Sequence, residues 1–175
     1  MTIERKINDL IILFNKKQYG RLIFEIESNF DDKEINNQVL LILGSARMRS
    51  QGRNFKDFLL AIQNFKKGYI FDKKSKIGLE CLIYYLYGVS ERVEKDNTLS
   101  PDEYEEIKKF FYEAKSVLNY NEKLYHAMSL LSFKSTNVDF RQEILKKLID
   151  KNCSKEKNLI LFEYIYNNNY RYNWS

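Results

Sequence analysis

The sequence predicts an all-α protein built as an α-α superhelix, that is, a solenoid of antiparallel helical hairpins. Three observations support this prediction. The chain of 175 residues has one proline and six glycines, fewer turn residues than an all-β sandwich needs. A hydrophobic content of 44% is enough for a folded domain with a core. Helical periodicity recurs along the chain, and similar helices return at regular intervals.

The elements follow from the periodicity in chain order. The best-marked helix start is Ser100, followed by Pro101 at the first helical position and by Glu103, which would complete a capping box. Asparagine-rich joints at 119–121 and 167–169 are expected to stop helices. Helices are predicted over about residues 2–15, 19–30, 34–50, 54–71, 75–95, 101–118, 121–134, 137–150 and 154–167.

One helix type recurs with an aromatic residue and then spacings of +3, +4 and +3, which places four side chains on one face. Segments 57–72 (DFLLAIQNFKKGYIFD) and 103–118 (EYEEIKKFFYEAKSVL) align without a gap. Gly68 then matches Ala114, so a glycine that costs a helix about 1 kcal/mol is predicted to admit a neighbouring helix. The matched sets, called B helices, are Phe58, Ala61, Phe65 and Gly68; Tyr104, Ile107, Phe111 and Ala114; and Tyr19, Leu22, Ile26 and Asn29.

A second helix type, called A, alternates with the first. The step from a B anchor to the next A anchor is nearly constant, at 24 residues from Tyr19 to Leu43 and 24 from Phe58 to Leu82. The step from A to B varies, and this predicts that extra length is confined to the A–B turns. The A sets are Leu40, Leu43, Gly44 and Arg47; Leu79, Leu82, Ile83 and Leu86; and Leu124, Ala127, Met128 and Leu131.

These alternating patterns resemble the tetratricopeptide repeat (TPR) family, whose A helix carries a Leu-Gly pair like Leu43-Gly44 and whose B helix carries Tyr, Ala, Phe and Ala. The resemblance covers roughly residues 15–131, with about 5 and 12 extra residues in the A–B turns. It implies one repeat domain over 1–175, with about four units at 1–33, 34–73, 74–120 and 121–151 and a terminal helix at 152–170.

The resemblance also implies a function, because A helices line the concave groove in which this family binds a peptide or protein segment. The family's Lys/Asn/Arg clamp for a peptide carboxylate is not evident here. The tyrosines of the predicted groove suit a peptide or helix, although they could equally belong to the core between repeats. The groove candidates are Gln38, Leu41, Ser45, Met48, Glu80, Tyr84, Tyr87, Tyr125, Ser129 and Ser132.

No residue set predicts catalysis, a cofactor or a metal. His126 is the only histidine, and neither a catalytic triad nor a zinc site can be built on it from its sequence neighbours. Segment 44–53 (GSARMRSQGR) has no lysine-serine ending, so Gly44 is predicted to be a packing residue and Gly52 a helix C-cap. The acidic pairs precede helices or lie in first turns, where they complement the helix dipole: Asp31-Asp32, Asp102-Glu103 and Glu105-Glu106.

The net charge of +5 and the pI of about 9.0 are mostly due to lysines interleaved with acidic residues. A solvated helix rim is therefore favoured over a surface for RNA or an acidic partner, and a nucleic-acid partner is not expected. Cys81 and Cys153 are predicted to be free thiols, and no apolar run is long enough to span a membrane, so a cytoplasmic location is expected. The basic residues are Arg47, Arg49, Arg53, Lys66, Lys67, Lys73, Lys74 and Lys76.

The leading hypothesis is thus a non-catalytic adaptor or chaperone-like scaffold that binds a protein segment. The main alternative is the N-terminal repeat array of a larger bacterial enzyme of the glycosyltransferase or sulfotransferase type, because the chain ends in an aromatic-rich segment with Tyr170, Tyr172 and Trp174. A reading frame that continues past Ser175 would favour that alternative. A secretion-type chaperone and an RNA-binding solenoid are further alternatives.

Overall fold

A computed structural model describes residues 2–50, 54–96, 99–118, 121–132 and 138–150. These residues form helices and no β-strand, so the predicted all-α class is confirmed for this part of the chain. The predictions for Gly52, Arg53, Cys153 and the helices at 154–167 and 152–170 lie outside the described residues. The helices are α1 Ile3–Asn15, α2 Tyr19–Asn29, α3 Asn37–Arg49, α4 Phe55–Phe71, α5 Lys76–Asp96, α6 Pro101–Val117, α7 Glu122–Ser132 and α8 Val138–Asp150.

Short polar side chains cap the starts of five helices by accepting a hydrogen bond from a backbone N–H that the helix leaves unpaired. The cap at Asn36 explains why α3 begins at Asn37 and not at the predicted residue 34. Asn121, which was expected to stop a helix, instead caps the start of α7. The caps are Asn36 to Val39 (3.0 Å), Asn54 to Asp57 (2.8 Å), Ser75 to Gly78 (3.0 Å), Ser100 to Glu103 (3.2 Å) and Asn121 to Leu124 (3.0 Å).

The predicted capping box at α6 is only half formed. Ser100 accepts from the Glu103 N–H as expected, and Pro101 occupies the first turn. The Glu103 carboxylate accepts a hydrogen bond from the Arg92 guanidinium at 2.5 Å, which ties α6 to α5. The Glu103 carboxylate, which the local sequence pattern predicted to bond to the Ser100 backbone, is therefore paired with a charged residue of another helix.

The residues from Leu82 to Asp96 are helical, which agrees with the predicted helix over 75–95 and corrects the predicted long A–B turn. The helix α5 continues to Asp96, and only residues 97–100 separate it from α6. The continuation is stabilised by Val89 and Val93, which are buried. Apolar residues one turn apart extended the helix where the spacing of anchors suggested a loop.

The chain divides into two compact units, Met1–Gly88 (unit 1) and Val89–Ser175 (unit 2), with the division inside α5. Unit 1 contains α1 to α4 and the first part of α5. Unit 2 contains the rest of α5 with α6, α7 and α8. The four sequence units predicted from the repeats remain predictions.

In unit 1, α1 and α2 form an antiparallel pair that packs on α3. Near the start of α1, the Lys6 ammonium donates to the Asn29 carbonyl at the end of α2 (3.0 Å) and to the Glu34 carboxylate (2.6 Å). At the other end of the pair, the Phe14 and Tyr19 rings meet edge to face at 5.4 Å. The core between the three helices consists of Ile7, Leu10, Leu22, Ile26, Val39, Leu43 and Ala46.

The helix α4 lies antiparallel to both α3 and α5 and approaches them closely at three glycines. A Cβ atom on Gly44 would lie 2.6 Å from the Phe65 ring, and one on Gly88 would lie 2.8 Å from Ile62. A Cβ on Gly68 would lie 2.6 Å from the Cys81 sulfur. Real Cβ atoms essentially never come this close to other heavy atoms, so a larger residue at any of the three positions would force the facing side chain to move.

Arg47 occupies a core position of the A pattern and is buried, with 7% of its surface exposed. Its guanidinium pairs with Glu27 of α2 and, at 3.5 Å, with Asp57 of α4. The expectation that Arg47 belongs to a solvated basic rim is therefore wrong. A cation in the core is costly unless it is paired, and the two carboxylates supply that pairing while they connect three helices.

In unit 2, the Phe140 ring of α8 lies among aromatic rings of α6. It meets Phe111 at 5.9 Å, Tyr112 at 5.8 Å and Tyr104 at 6.3 Å, with edge-to-face geometry in each pair. Tyr125 of α7 adds an edge-to-face contact with Phe111 at 5.2 Å. Such pairs contribute about 0.5–1.5 kcal/mol each beyond the burial of their area.

A polar contact supplements these rings where α6 meets α8. The Glu143 carboxylate accepts from the Lys115 ammonium at 2.7 Å and from the Tyr112 hydroxyl at 3.0 Å. Burial alone would raise the pKa of Glu143, but the bonds from Lys115 and Tyr112 outweigh it and lower this pKa below its ordinary value of 4.5. Burial and then the bond to Glu143 raise the pKa of Tyr112 to about 12.

We expect Gly68→Leu to lower the free energy of unfolding by about 1–3 kcal/mol, because the Cβ of the new side chain would overlap the Cys81 sulfur. Thermal denaturation measures the effect. Gly20→Leu is the matched control, because a Cβ at Gly20 meets no atom within 4 Å. Equal melting temperatures for the two variants would show that α4 and α5 are not in close contact.

We expect the stabilising effect of Glu143 to depend on pH. Because its pKa is lowered in the folded state, the contribution is complete above the ordinary value of 4.5 and is lost as the pH falls through the folded value. The difference in melting temperature between the wild type and Glu143→Gln should therefore shrink towards zero in acid. Glu105→Gln, which removes an exposed ion pair within α6, is the control for loss of a surface carboxylate. A difference that stayed constant down to acid pH would contradict the lowered pKa.

Candidate partner-binding face

The helices α3 and α5 run in the same direction beside each other. At their starts, the Asn37 side-chain amide donates to the Ser75 hydroxyl at 2.9 Å. Further along, the Met48 methyl lies 3.6 Å from the position that a Cβ on Gly88 would take. These two contacts bring the A-helix stripes of α3 and α5 next to each other in unit 1.

Six of the ten groove candidates are accessible on these two helices, and we call them the α3–α5 face. On α3 they recur at spacings of +3, +4 and +3, which is a single helical stripe. On α5 they are one turn apart. Glu80 is exposed and the other five are half-buried; the face consists of Gln38, Leu41, Ser45, Met48, Glu80 and Tyr84.

Tyr84 is held in place from beneath. Its ring stacks on Phe65 at 5.3 Å with an interplanar angle of 24°, and Phe65 in turn sits against Gly44. Burial raises the pKa of the Tyr84 hydroxyl, and the Glu80 charge adds to this effect while Arg49 opposes it. The hydroxyl is thus protonated at neutral pH, and its ring is positioned by the core.

The other four candidates lie in the interior. Tyr87 has 7% of its surface exposed, and Tyr125, Ser129 and Ser132 are almost fully buried. The two serine hydroxyls donate to backbone carbonyls of α7, Ser129 to His126 and Ser132 to Ser129. The sequence pattern assigned these residues to the groove because they occupy the same helical positions as the other A-helix candidates. In the structure, neighbouring helices bury these positions. A partner therefore cannot reach them in this conformation.

The residues predicted to pack between repeats are all buried. The B-helix set includes two positions, Gly68 and Ala114, that the alignment matched as small residues. Cys81, one of the two predicted free thiols, is buried and forms no disulfide, and burial followed by the Glu80 charge raises its pKa to about 12. The buried packing residues are Leu43, Gly44, Phe58, Ala61, Phe65, Gly68, Leu82, Tyr104, Ile107, Phe111 and Ala114.

Arg49 is a side chain near this face that the sequence reasoning assigned only to a solvated rim. Its guanidinium lies 5.2 Å from the centre of the Phe14 ring, and its charge acts on the Tyr84 hydroxyl. The sequence contained a signal for this position, because Arg49 follows the face residue Ser45 by one helical turn and so lies on the same side of α3. The Arg49 charge therefore lies near one end of the face, close enough to act on Tyr84.

The α3–α5 face offers a tyrosine hydroxyl, an amide, a serine hydroxyl, the Glu80 carboxylate and two apolar side chains, Leu41 and Met48. Among the described residues, no group of His, Cys, Asp and Glu side chains is arranged to hold a metal ion. Within the same ranges, none of the helices combines the length and apolarity that crossing a bilayer requires.

Comparisons with known proteins find no matching family model, no similar curated protein and no similar solved structure. The resemblance to the TPR family therefore stays a prediction.

We expect Tyr87→Ala and Tyr84→Ala to differ in stability. Tyr87 is buried, so its truncation should cost about 3–5 kcal/mol, as for other large buried side chains. Tyr84 loses mainly its stacking on Phe65, for a cost of about 1–2 kcal/mol. Chemical denaturation of both variants measures the difference, and equal losses would place the Tyr84 ring in the core.

Proposed function

We propose that this protein is a non-catalytic protein–protein interaction module that binds a peptide or protein segment on the α3–α5 face. The observation that carries the proposal is the Tyr84 ring, which is half-buried and supported by Phe65 and Gly44. A ring that is already fixed before binding loses little rotamer freedom on contact with a partner. Tyrosine is also among the residues that contribute most to binding at interfaces.

The neighbours of Tyr84 provide the further contacts that a polypeptide requires. Gln38 and Ser45 carry both hydrogen-bond donors and acceptors, which suits the alternating N–H and C=O groups of a peptide backbone. Leu41 and Met48 offer apolar surface, and Met48 can adapt its shape to different side chains. The combination favours a polypeptide partner over a small molecule, which a concave apolar pocket would bind.

The TPR-like character is part of this proposal. The A and B positions of the units at 34–73 and 74–120 are buried, as an array of stacked hairpins requires. The helix directions also agree with stacked helical hairpins, since α3 and α5 are parallel to each other and α4 is antiparallel to both. We infer that the same arrangement extends through the four predicted units as an α-α superhelix.

Site-specific photo-crosslinking tests the proposal in the full chain. A benzophenone amino acid replaces Ser45 on the α3–α5 face or, as the control, Gln63 on the exposed side of α4. We expect a discrete protein adduct in the native cells at Ser45 and none of that mass at Gln63. The adduct should become several-fold weaker when Tyr84→Ala is added, since a truncated anchor residue typically costs more than 1 kcal/mol of binding.

Two results would overturn this assignment. An adduct at Gln63 with none at Ser45 would move the binding surface to the other side of unit 1. An adduct at Ser45 that is insensitive to Tyr84→Ala, in a variant whose melting temperature is near that of the wild type, would show that Tyr84 is not an anchor.

A further inference from the structure

Two adjacent apolar residues protrude at the end of α4, on the side away from the core. Ile70 has 50% of its surface exposed and Phe71 has 60%. The buried residues of the same helix end, Gly68 and Tyr69, point into unit 1. The cost of exposing a phenylalanine and an isoleucine side by side raises the question of what covers them.

Lysines surround this apolar pair. On the helix surface, Ile70 lies one turn after both Lys66 and Lys67, and Phe71 lies one turn after Lys67. Beyond the helix end, Lys73, Lys74 and Lys76 follow in the turn and the start of α5. We call these two apolar residues and five lysines the lysine-rimmed patch.

The only acidic residue within the patch segment 66–76 is Asp72. Its carboxylate accepts hydrogen bonds from the backbone N–H groups of Lys74 and Ser75, both at 3.2 Å, and so is directed into the turn. Lys67, Lys74 and Lys76 are exposed, whereas Lys66 and Lys73 lie over the Tyr85 and Tyr69 rings, at 6.0 and 5.7 Å. Three of the five lysines near the apolar pair in sequence are therefore exposed.

The excess positive charge of the whole chain is also located in unit 1, the unit that carries the patch. Residues 1–88 contain 15 Lys and Arg against 10 Asp and Glu, and residues 89–175 contain 14 of each. The net charge of +5 is thus carried entirely by unit 1. Diffuse electrostatic attraction to an anionic surface would act on this unit and would orient it.

We propose that the lysine-rimmed patch docks on an anionic lipid surface, with Phe71 and Ile70 entering the headgroup region and the lysines contacting lipid phosphates. Exposed apolar side chains flanked by lysine are what interfacial membrane binding requires. The segment has no arginine, the residue that nucleic-acid sites use for bidentate phosphate and base contacts. The apolar area of two side chains is also smaller than the core of a stable protein interface.

This inference does not rest on the proposed function, because the patch and the α3–α5 face have no residue in common, although Lys76 begins α5 and lies one turn before Glu80 of that face. Peripheral binding of this kind needs no membrane-spanning helix.

Vesicle co-sedimentation of the purified full chain tests the proposal. We expect binding to vesicles of phosphatidylcholine mixed with phosphatidylserine and much weaker binding to pure phosphatidylcholine. Each of Lys67→Gln, Lys74→Gln and Lys76→Gln should reduce the affinity roughly fivefold, since each lysine near such a surface contributes a similar increment. Added salt should weaken binding, because it screens these charges.

A separate variant and a matched control test the contribution of the two apolar side chains to vesicle binding. The double variant Ile70→Ser, Phe71→Ser should lose most of the binding while it retains the wild-type melting temperature, since both side chains are exposed. Phe24→Ser on α2 removes an even more exposed aromatic, at 66%, whose neighbours one turn away are Arg21 and Glu27. It should bind vesicles as the wild type does.

Several outcomes would overturn the proposal. These are no binding to either vesicle, equal binding to both, or a loss for Phe24→Ser as large as that for the patch variants. Binding of single-stranded RNA or poly-glutamate that the lysine variants abolish, without vesicle binding, would assign the patch to a polyanion other than lipid.

Discussion

The architecture of unit 1 depends on the close approach of α4 to its two neighbours at glycine positions. Each helical glycine costs about 1 kcal/mol relative to alanine. That cost is offset because Gly44 admits the Phe65 ring and Gly68 admits Cys81, so large buried side chains find space without voids. Since α4 contacts both α3 and α5 in this way, the same contacts set the two A helices side by side, and a single packing constraint determines which faces remain accessible.

The two units differ in where their charged contacts lie relative to the core. In unit 1, Arg47 lies in the core, where its charge is balanced by Glu27 and Asp57 on two other helices. Such a triad connects helices, but it offers less stability than an apolar contact of equal volume, because the guanidinium must be desolvated. Unit 2 instead joins α8 to α6 through aromatic rings around Phe140, and its charged contact, Lys115 with Glu143, lies at the edge where water still reaches it.

The two proposed surfaces of unit 1 follow from the way α4 is used. Its inner side carries Phe65, which supports the Tyr84 ring on the α3–α5 face. Its outer side ends in Ile70 and Phe71, which the core does not need and therefore leaves in water. Phe65 of α4 thus positions Tyr84 on the first proposed surface, and Ile70 and Phe71 of the same helix form the apolar part of the second.

The described helices and most of their buried positions could be predicted from the sequence, because helix periodicity, caps such as Ser100 and the repeated positions of Phe65 and Gly68 are local signals. It could not determine which A-helix residues stay accessible, since Tyr84 and Tyr87 carry the same signal and only the surrounding helices bury one of them. The partner of Glu103 and the burial of Arg47 were likewise decided by charges on other helices. Tertiary structure decides such cases because burial and ion pairing depend on residues far apart in the chain, whereas helix formation depends on neighbours within a turn.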